Sequence, residues 1–364
     1  MKIYLYIFIL IFVICQQNCF AQSQKGVWLT DIASKALDNR KGINKVVRDC
    51  KKFGIDNIYV VVWNRGHTLY PSDIMEDTFG VKILPRFSKF DFLKALIEEA
   101  HRHNIKVHAW FEFGFSSSYK EVDGGHILRK NPHWKAIDNH GHLVSKNDFQ
   151  WMNAFHPEVQ DFLLSLIEEV LDKYDVDGIQ GDDRLPANPS TAGYDSYTLS
   201  VYKNEHNGTS PPQDYTDANW IKWRAKKLDL FAKKIYETVK SKNPNTMVSM
   251  APSIYPWSKE EYLQNWPTWV ENGWVDAIIP QIYRYNITTY NEALRSNLDF
   301  VSDENRSKFI PGVLLKVDDY SPSESFLKEM IQSNRSNGLK DEVFFFYEGF
   351  KTHKSFFKNS YFKL

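Results

Sequence analysis

The chain has 364 residues, with 45 basic and 45 acidic side chains and a formal net charge of zero. This balance argues against nucleic acid, or an anionic membrane surface, as the main partner. The length allows two ordinary domains or one large barrel. Aromatic residues make up 15% of the chain, which fits either an aromatic core or a cleft that stacks flat-faced ligands such as sugars.

The N-terminal segment has the pattern of an export signal. Lys2 provides a positive charge, Tyr4–Ile14 is an uninterrupted apolar run, and Ala21 is a small residue suited to a cleavage site. The apolar run has the length of a signal-peptide core and is short for a membrane span. We therefore predict a signal peptide over residues 1–21 and a secreted or periplasmic bacterial protein over residues 22–364, without stable membrane insertion. An uncleaved anchor is the alternative.

Strand and helix patterns alternate along the rest of the chain. The predicted strands are nearly continuous apolar runs, as expected for parallel strands buried on both faces. Eight βα units predict an α/β fold with a single (β/α)8 TIM barrel. An open doubly wound sheet is the alternative, but no Gly-rich dinucleotide fingerprint follows the first strand. The predicted strands are Lys25–Thr30, Ile55–Trp63, Ile105–Phe111, Val176–Ile179, Met247–Ala251, Val275–Tyr283, Phe309–Val317 and Val343–Tyr347. The predicted helices are Ile43–Phe53, Asp91–His103, Pro157–Tyr174, Trp220–Ser241 and Ser323–Asn334.

Three long insertions each follow a predicted strand and precede a helix. They span residues 64–90, 113–156 and 184–219. In a barrel, segments of this kind lie on the C-terminal face of the strands, where active sites are built. We therefore predict long βα loops that wall a cleft on that face.

Carboxylic acids stand at several predicted strand ends. Asp182 and Asp183 follow the fourth strand, Glu112 follows the third, and Glu348 follows the eighth. Glycoside hydrolysis needs one carboxylic acid to protonate the leaving oxygen and a second carboxylate as nucleophile or base. Adjacent residues of a strand point to opposite sides, so we expect either Asp182 or Asp183, but not both, to act with Glu348.

Other polar and aromatic residues at the strand ends are suited to binding sugar hydroxyls or tuning the acids. The alternative is purely structural: both aspartates are buried partners of Arg65, Arg184 or Arg284. We predict no metal and no cofactor, because a metal-dependent barrel hydrolase would need a His-x-His after the first strand, which instead runs Val27-Trp28-Leu29-Thr30-Asp31. The predicted substrate-binding residues are Trp63, Asn64, Arg65, Glu112, Gln281, Tyr283 and Arg284.

Several blocks, in order along the chain, resemble the glycosyl hydrolase-like family 10 proteins. The resemblance implies a (β/α)8 barrel and glycoside hydrolase activity, and some members are regarded as acting on bacterial cell-wall glycan. Two departures bear on the site beside the acids: Gly181 replaces a bulky apolar residue, and Arg184 replaces an aromatic residue or histidine. The resembling blocks are GVWLT at 26–30, WNRG at 63–66, TLYPS at 68–72, WFEFGF at 110–115, FHPEVQ at 155–160, YDVDGIQ at 174–180 with Asp182-Asp183, WR at 223–224, QIYR at 281–284 and FFFYE at 344–348.

These observations together predict a secreted glycoside hydrolase with a carbohydrate substrate. The substrate would be an oligosaccharide or polysaccharide, with bacterial cell-wall glycan as one candidate, bound across the C-terminal face of the barrel. Because a fold does not fix a function, a non-hydrolytic glycan-binding barrel is the alternative.

Overall fold

The computed structural model describes residues 24–364, and the predicted signal peptide lies outside them. Eight parallel strands form the central sheet, in the order β6–β5–β4–β3–β2–β1–β8–β7. Parallel bridges between Ile278 and Phe309, and between Gln281 and Gly312, join the two edge strands β6 and β7. The sheet is therefore closed on itself, which confirms the predicted (β/α)8 barrel. The strands are β1 (Gly26–Leu29), β2 (Asn57–Val61), β3 (Lys106–Phe111), β4 (Gly178–Gly181), β5 (Met247–Met250), β6 (Ala277–Ile278), β7 (Gly312–Leu314) and β8 (Val343–Phe345).

Helices surround the barrel, and several begin at the side-chain caps that their sequences provide. Asn39 accepts from the backbone N–H of Gly42, and Asp217 accepts from that of Trp220; such caps satisfy amide groups that have no partner within the helix. Within residues 24–364, no helix has the length and apolar character needed to cross a membrane. The α-helices are Arg40–Phe53, Asp73–Phe79, Phe92–His101, Gly125–Lys130, Pro157–Lys173, Ser196–Glu205, Ala218–Lys242, Trp257–Tyr262, Trp266–Glu271, Ile287–Leu298, Glu324–Ser336 and Lys354–Asn359. The 3-10 helices are Pro85–Phe87, Pro132–Trp134, Asp303–Lys308, Tyr347–Lys351 and Tyr361–Lys363.

Several strand boundaries differ from the sequence prediction, which in some cases placed polar residues or proline inside a strand. The fourth strand lies two residues later than predicted and ends at Gly181. The sixth is reduced to Ala277–Ile278, because Pro280 has no N–H to donate to a neighbouring strand. The eighth ends at Phe345, and Glu348 therefore lies in the following 3-10 helix.

A hydrogen-bonded chain of side chains crosses the barrel interior. The indole Nε1 of Trp28 donates to Oε1 of Gln180 at 2.7 Å, and Nε2 of Gln180 donates to the hydroxyl of Ser249 at 3.1 Å. All three residues are buried. Because the polar groups satisfy one another, the centre of the barrel is packed and is not a pore.

The three predicted insertions form the rim of the barrel on one face. Residues 64–90 contain a short hairpin, made by Trp63–Asn64 and His67–Thr68, and the helix Asp73–Phe79. The second insertion folds into a three-stranded antiparallel sheet. The third contains the helix Ser196–Glu205. Each insertion leaves the C-terminal end of a strand, so all three surround the strand ends that contain the acidic residues. The three strands of the second insertion are Ser116–Tyr119, Ser145–Lys146 and Phe149–Trp151.

Candidate active site

A tight turn after β4 places Asp182, Asp183 and Arg184 at the mouth of the barrel. The strand ends at Gly181, where a Cβ atom would lie 2.3 Å from the carbonyl oxygen of Leu185. Only glycine allows the chain to return so closely on itself. The backbone N–H of Arg184 then donates to Oδ1 of Asp182 at 2.8 Å. Gly181, a departure from the family pattern, is therefore what makes this turn sterically feasible.

Both aspartates contact the same guanidinium group. Nη1 of Arg184 lies 2.6 Å from Oδ1 of Asp183 and 3.8 Å from Oδ2 of Asp182. The expectation that the two side chains point apart assumed that the strand continues through them. That assumption is wrong, because β4 ends at Gly181 and both residues belong to the turn. Arg184 is thus the arginine that both aspartates contact, and their catalytic role stays a prediction.

Aromatic rings from the second insertion position Arg184. Its guanidinium lies 4.8 Å from the ring centre of Phe113 and 5.2 Å from that of Phe149. Cation–π contacts of this kind strengthen when they are shielded from water, and the side chain of Arg184 is only 17% exposed. The loop after β3 therefore fixes the arginine that holds the acids after β4.

Glu112, at the end of β3, is a second buried carboxyl group in this region. The hydroxyl of Thr30 donates to its Oε2 at 2.9 Å, and the side chain is nearly inaccessible to water. Burial raises the pKa of Glu112 to about 8, and the charge of Asp31 acts in the same direction. At neutral pH, Glu112 is therefore mostly protonated and can donate a proton.

Burial also shifts the protonation of Asp182 and Asp31. Burial, followed by the charge of Asp183, raises the pKa of Asp182 well above its usual range, although Arg184 acts in the opposite direction. Burial raises the pKa of Asp31 as well, partly offset by a hydrogen bond from Nδ2 of Asn64 at 2.7 Å. The barrel mouth thus contains acids that favour the proton-bearing form next to a salt-bridged carboxylate.

Two tyrosines lie within electrostatic reach of these acids: Tyr262 is buried, and Tyr283 is partly exposed. Burial and then the charge of Asp183 raise the pKa of Tyr262 to about 12. Burial raises the pKa of Tyr283 well above its usual range, and Asp183, Asp182 and Glu112 add to this effect. Both phenols therefore remain protonated and can donate hydrogen bonds to a ligand. Glu112, Asp182 and Asp183 together are called the acid cluster. Their charges act on Tyr283, which therefore lies beside this cluster.

Trp63 and Arg65, which were also predicted to bind substrate, differ in their contacts. Trp63 is fully buried, and its Nε1 donates to the carbonyl of Gly114 at 2.8 Å, so its role is to support the loop and not to face a ligand. Arg65 stacks on the ring of Tyr119 at 4.6 Å, and its charge lowers the pKa values of Glu112 and Asp31. Its charge therefore acts on both acids, and its role in substrate binding stays a prediction.

Glu348 is placed away from these partners. The 3-10 helix Tyr347–Lys351 follows β8. In it, Glu348 accepts a hydrogen bond from Ser34 at 2.8 Å and pairs with Lys351. The structure therefore does not join Glu348 to Arg184 and its two aspartates, and its catalytic role stays a prediction. Sequence reasoning gave too little weight to Arg184, although its position directly after two acids was a usable signal.

Three side chains elsewhere could hold a metal ion. The ligand atoms of His133, His156 and Glu158 lie within 4.8 Å of one another. Nε2 of His133 is already 2.8 Å from Oε2 of Glu158, which also accepts from Trp134. Hydrogen bonds therefore account for much of this arrangement. Among residues 24–364 no other group of this kind occurs.

Comparison with known proteins identifies the family. The family model described as "Glycosyl hydrolase-like 10" matches residues 23–316. The chain belongs to the glycosyl hydrolase-like 10 family. The match ends shortly after β7, so the resembling block at 344–348 lies beyond it.

Two curated bacterial proteins have sequences similar to this chain. The chain is 24% identical over 303 residues to the glycosyl hydrolase DigH of Escherichia coli K12, covering 72% of this chain and 66% of DigH. It is 23% identical over 299 residues to the glycosyl hydrolase YngK of Bacillus subtilis 168, covering 71% of this chain and 54% of YngK. The chain therefore spans about half to two thirds of the length of these relatives.

Solved structures confirm the fold at low sequence identity. The glycoside hydrolase domain of PgaB (BpsB) from Bordetella bronchiseptica has a TM-score of 0.67 and 12% identity, covering 92% of this chain and 98% of that domain. The α-L-fucosidase isoenzyme 2 of Paenibacillus thiaminolyticus has a TM-score of 0.64 and 16% identity, covering 92% of this chain and 48% of the fucosidase. This member of the glycosyl hydrolase-like 10 family thus shares the barrel of glycoside hydrolase domains.

Proposed function

We propose that the protein is a glycoside hydrolase that cleaves O-glycosidic bonds of an oligosaccharide or polysaccharide at the barrel mouth. One observation carries the proposal: the buried carboxyl groups of Glu112 and Asp182 lie near Asp183, which is held in a salt bridge with Arg184. Glu112 and Asp182 have raised pKa values, while Asp183 pairs with Arg184 at 2.6 Å. Acid pairs whose environments differ in this way are the usual basis for acid–base catalysis in one site.

In the proposed reaction, each of these residues has a separate role. Glu112 or Asp182 donates its proton to the glycosidic oxygen, and the bond between this oxygen and the anomeric carbon breaks. Asp183 supplies the second carboxylate, which attacks the anomeric carbon or accepts a proton from the attacking water. Arg184 holds Asp183 in position, and Tyr283 donates a hydrogen bond to a sugar hydroxyl.

We further propose that the protein acts outside the cytoplasm, in the periplasm or after secretion, on bacterial cell-wall glycan. The apolar segment over Tyr4–Ile14 and the candidate cleavage site at Ala21 support export. The resemblance to family members that act on cell-wall glycan supports the substrate. Mass spectrometry of the intact protein recovered from its native host tests export, since cleavage after Ala21 removes 21 residues.

The deciding experiment is a hydrolysis assay on cell-wall glycan and plant polysaccharides with single-residue variants. We expect Asp183→Asn to lower kcat by about 10²- to 10⁴-fold, the usual contribution of a positioned acid or base, and we expect a similar loss in either Glu112→Gln or Asp182→Asn, whichever residue is the proton donor. Asp303→Asn is the matched control, because Asp303 is fully exposed. Glu348→Gln tests the separate prediction that this residue is catalytic, and retention of most of the activity would fit a structural role in its contacts with Ser34 and Lys351.

Three outcomes would change this assignment. Full activity in all three of the first variants would remove the acid cluster from the mechanism, and a large loss in Glu348→Gln would return that residue to the catalytic set. Binding of a glycan without cleavage by the wild-type protein would favour the non-hydrolytic barrel. Thermal unfolding of each variant separates loss of catalysis from loss of fold.

A further inference from the structure

Arg284 is a half-buried arginine without a carboxylate partner. Its Nη1 donates only to the carbonyl oxygen of the preceding Tyr283, at 2.7 Å. Burial lowers the pKa of Arg284, and among residues 24–364 no acidic side chain offsets this effect. Arg184, by contrast, is balanced by two aspartates. Because removing a charge from water is costly unless it is paired, the unpaired guanidinium suggests that its partner comes from a ligand.

A hollow of about 340 Å³ contains this arginine. The volume lies within the range of ligand clefts, about 300–1,000 Å³. Trp257 forms one wall and is 44% exposed, which is unusual for a large aromatic side chain. Its ring is supported from behind by Tyr262, at 5.6 Å between ring centres. The residues that line the hollow are Ser253, Ile254, Trp257, Gln281, Tyr283 and Arg284.

The hollow adjoins the acid cluster through Tyr283, with Tyr262 behind its Trp257 wall. Tyr283 lines the hollow and also lies within the electrostatic reach of Asp183, Asp182 and Glu112. Tyr262, which supports Trp257, is also acted on by Asp183. The loops after β5 and β6 provide these side chains, so the hollow lies on the C-terminal face of the barrel beside the proposed site of cleavage.

We propose that this hollow is a subsite for a sugar residue that bears a carboxylate, with Arg284 as its anion-binding group and Trp257 as its stacking surface. The inference rests on the proposed function, since it assigns the substrate class of the same site. A guanidinium fork matches a planar carboxylate through two parallel hydrogen bonds. The exposed indole face provides a flat apolar surface for a sugar ring. One unpaired positive charge fits a single negative charge on the ligand.

Either a uronic acid or a sugar with a carboxyethyl ether provides this chemistry. The test therefore uses two matched pairs of oligosaccharides: an oligogalacturonate with its carboxyl-reduced form, and a chitooligosaccharide with 3-O-carboxyethyl groups with its carboxyl-reduced form. Isothermal titration calorimetry measures binding to the full chain. The acidic member of one pair should bind about 10- to 100-fold more tightly, the range expected for hydrogen bonds between charged groups. The pair that shows this difference identifies the source of the carboxylate.

Variants of Arg284 and Trp257 test the residue assignment. Arg284→Gln should abolish the preference for the acidic member, and Arg284→Lys should retain part of it because it keeps the charge without the fork. Arg295→Gln is the matched control, since Arg295 is exposed on the helix Ile287–Leu298. Trp257→Ala should weaken binding of both members by a similar factor. Thermal unfolding shows whether each variant is folded.

Three results would overturn the subsite: equal binding of both members of each pair, no binding of either acidic probe, or an unchanged preference in folded Arg284→Gln. Release of reducing ends from the same oligosaccharides tests the proposed function independently. Cleavage without a preference for acidic sugars would overturn the subsite and leave hydrolysis standing. Tight, Arg284-dependent binding without any cleavage would overturn hydrolysis and leave the subsite standing.

Discussion

Glu112 illustrates how the barrel controls the charge of a single residue. Its carboxyl group lies at the end of β3, buried and within hydrogen-bonding distance of Thr30. Burial in this setting penalises the ionised form, and the nearby Asp31 increases the penalty. The folded protein therefore holds a proton on Glu112 that the unfolded chain releases near pH 4.5, the ordinary pKa of this group.

This difference predicts a pH-dependent gain in stability for Glu112→Gln. Between pH 4.5 and about 8 the folded wild type binds more protons than the unfolded chain, so its free energy of unfolding falls as pH rises. The variant lacks this titration. Its stability relative to the wild type should therefore increase across the window, by up to roughly 4 kcal/mol. Chemical denaturation at pH 5, 6, 7 and 8 measures the difference.

The control for this measurement is Glu304→Gln, which changes an exposed glutamate. It should give a difference from wild type that stays near zero at every pH. A difference for Glu112→Gln that does not vary with pH would show that Glu112 is ionised in the folded protein. It would also remove this residue from the proton donors considered for the proposed reaction.

The sequence predicted the positions of the acids, but it left Arg184 as one of three possible arginine partners. Asp182, Asp183 and Glu112 were identified because each follows an apolar strand, and strand ends of a parallel barrel converge. Their contacts with Arg184 depend on where β4 ends, which is set by the close approach of Gly181 to Leu185. Backbone approaches between loops leave no periodic signal in the sequence. The placement of Glu348 was missed for the same reason, because the chain turns into a 3-10 helix after Phe345.

At the scale of elements, hydrogen bonds from Arg224 hold the third insertion against the barrel. It lies on the helix Ala218–Lys242 and is fully buried. Its guanidinium donates to the carbonyl oxygens of Ala192 and Tyr215, each at 2.6 Å, and to that of Ser190. These carbonyls lie in the loops on either side of the helix Ser196–Glu205. One side chain therefore satisfies backbone groups that would otherwise be buried without partners.

Replacing Arg224 should loosen this insertion. Arg224→Met keeps much of the volume but leaves three carbonyl groups without a donor, and each such loss costs about 1–3 kcal/mol. We expect a marked fall in thermal stability and new protease cleavage within residues 190–217. Limited proteolysis with mass spectrometry locates the cuts. Lys226→Met is the control, because Lys226 is exposed on the same helix; equal behaviour of the two variants would contradict the role of Arg224.

The helices show which elements a sequence pattern can identify. The helix Pro157–Lys173 was predicted almost to the residue, because its apolar face repeats at helical spacing over 17 residues. The short helices Asp73–Phe79, Trp257–Tyr262 and Trp266–Glu271 were not predicted. Segments of six or seven residues contain too few turns to establish a period, and their form depends on packing against the barrel.

At the scale of the whole molecule, the barrel is closed by strands that the family match only partly covers. The match ends at residue 316, whereas β8 spans Val343–Phe345 and pairs with both β1 and β7. The closed barrel could be predicted from eight apolar runs, because parallel strands without an eighth partner would leave exposed edges. The segment after residue 350 has no such pattern, so the sequence alone does not predict its role.

This C-terminal segment packs against the outside of the barrel. Phe356, Phe357 and Tyr361 are almost completely buried. The ring of Phe357 lies 5.5 Å from that of Phe53, on the helix after β1, and 5.1 Å from Phe344 in β8. The aromatic residues therefore join the first and last βα units and cover the seam where the barrel begins and ends.

A chain that ends at residue 350 should consequently fail to fold. Loss of a buried phenylalanine costs about 3–5 kcal/mol, so removing Phe356, Phe357 and Tyr361 together costs roughly 10 kcal/mol, comparable to the whole stability of a typical domain. We expect no cooperative thermal transition by circular dichroism. A chain that ends at residue 361 is the control, since it loses the largely exposed Phe362 but keeps all three buried rings. A cooperative transition in the shorter chain would show that β8 closes the barrel without this cover.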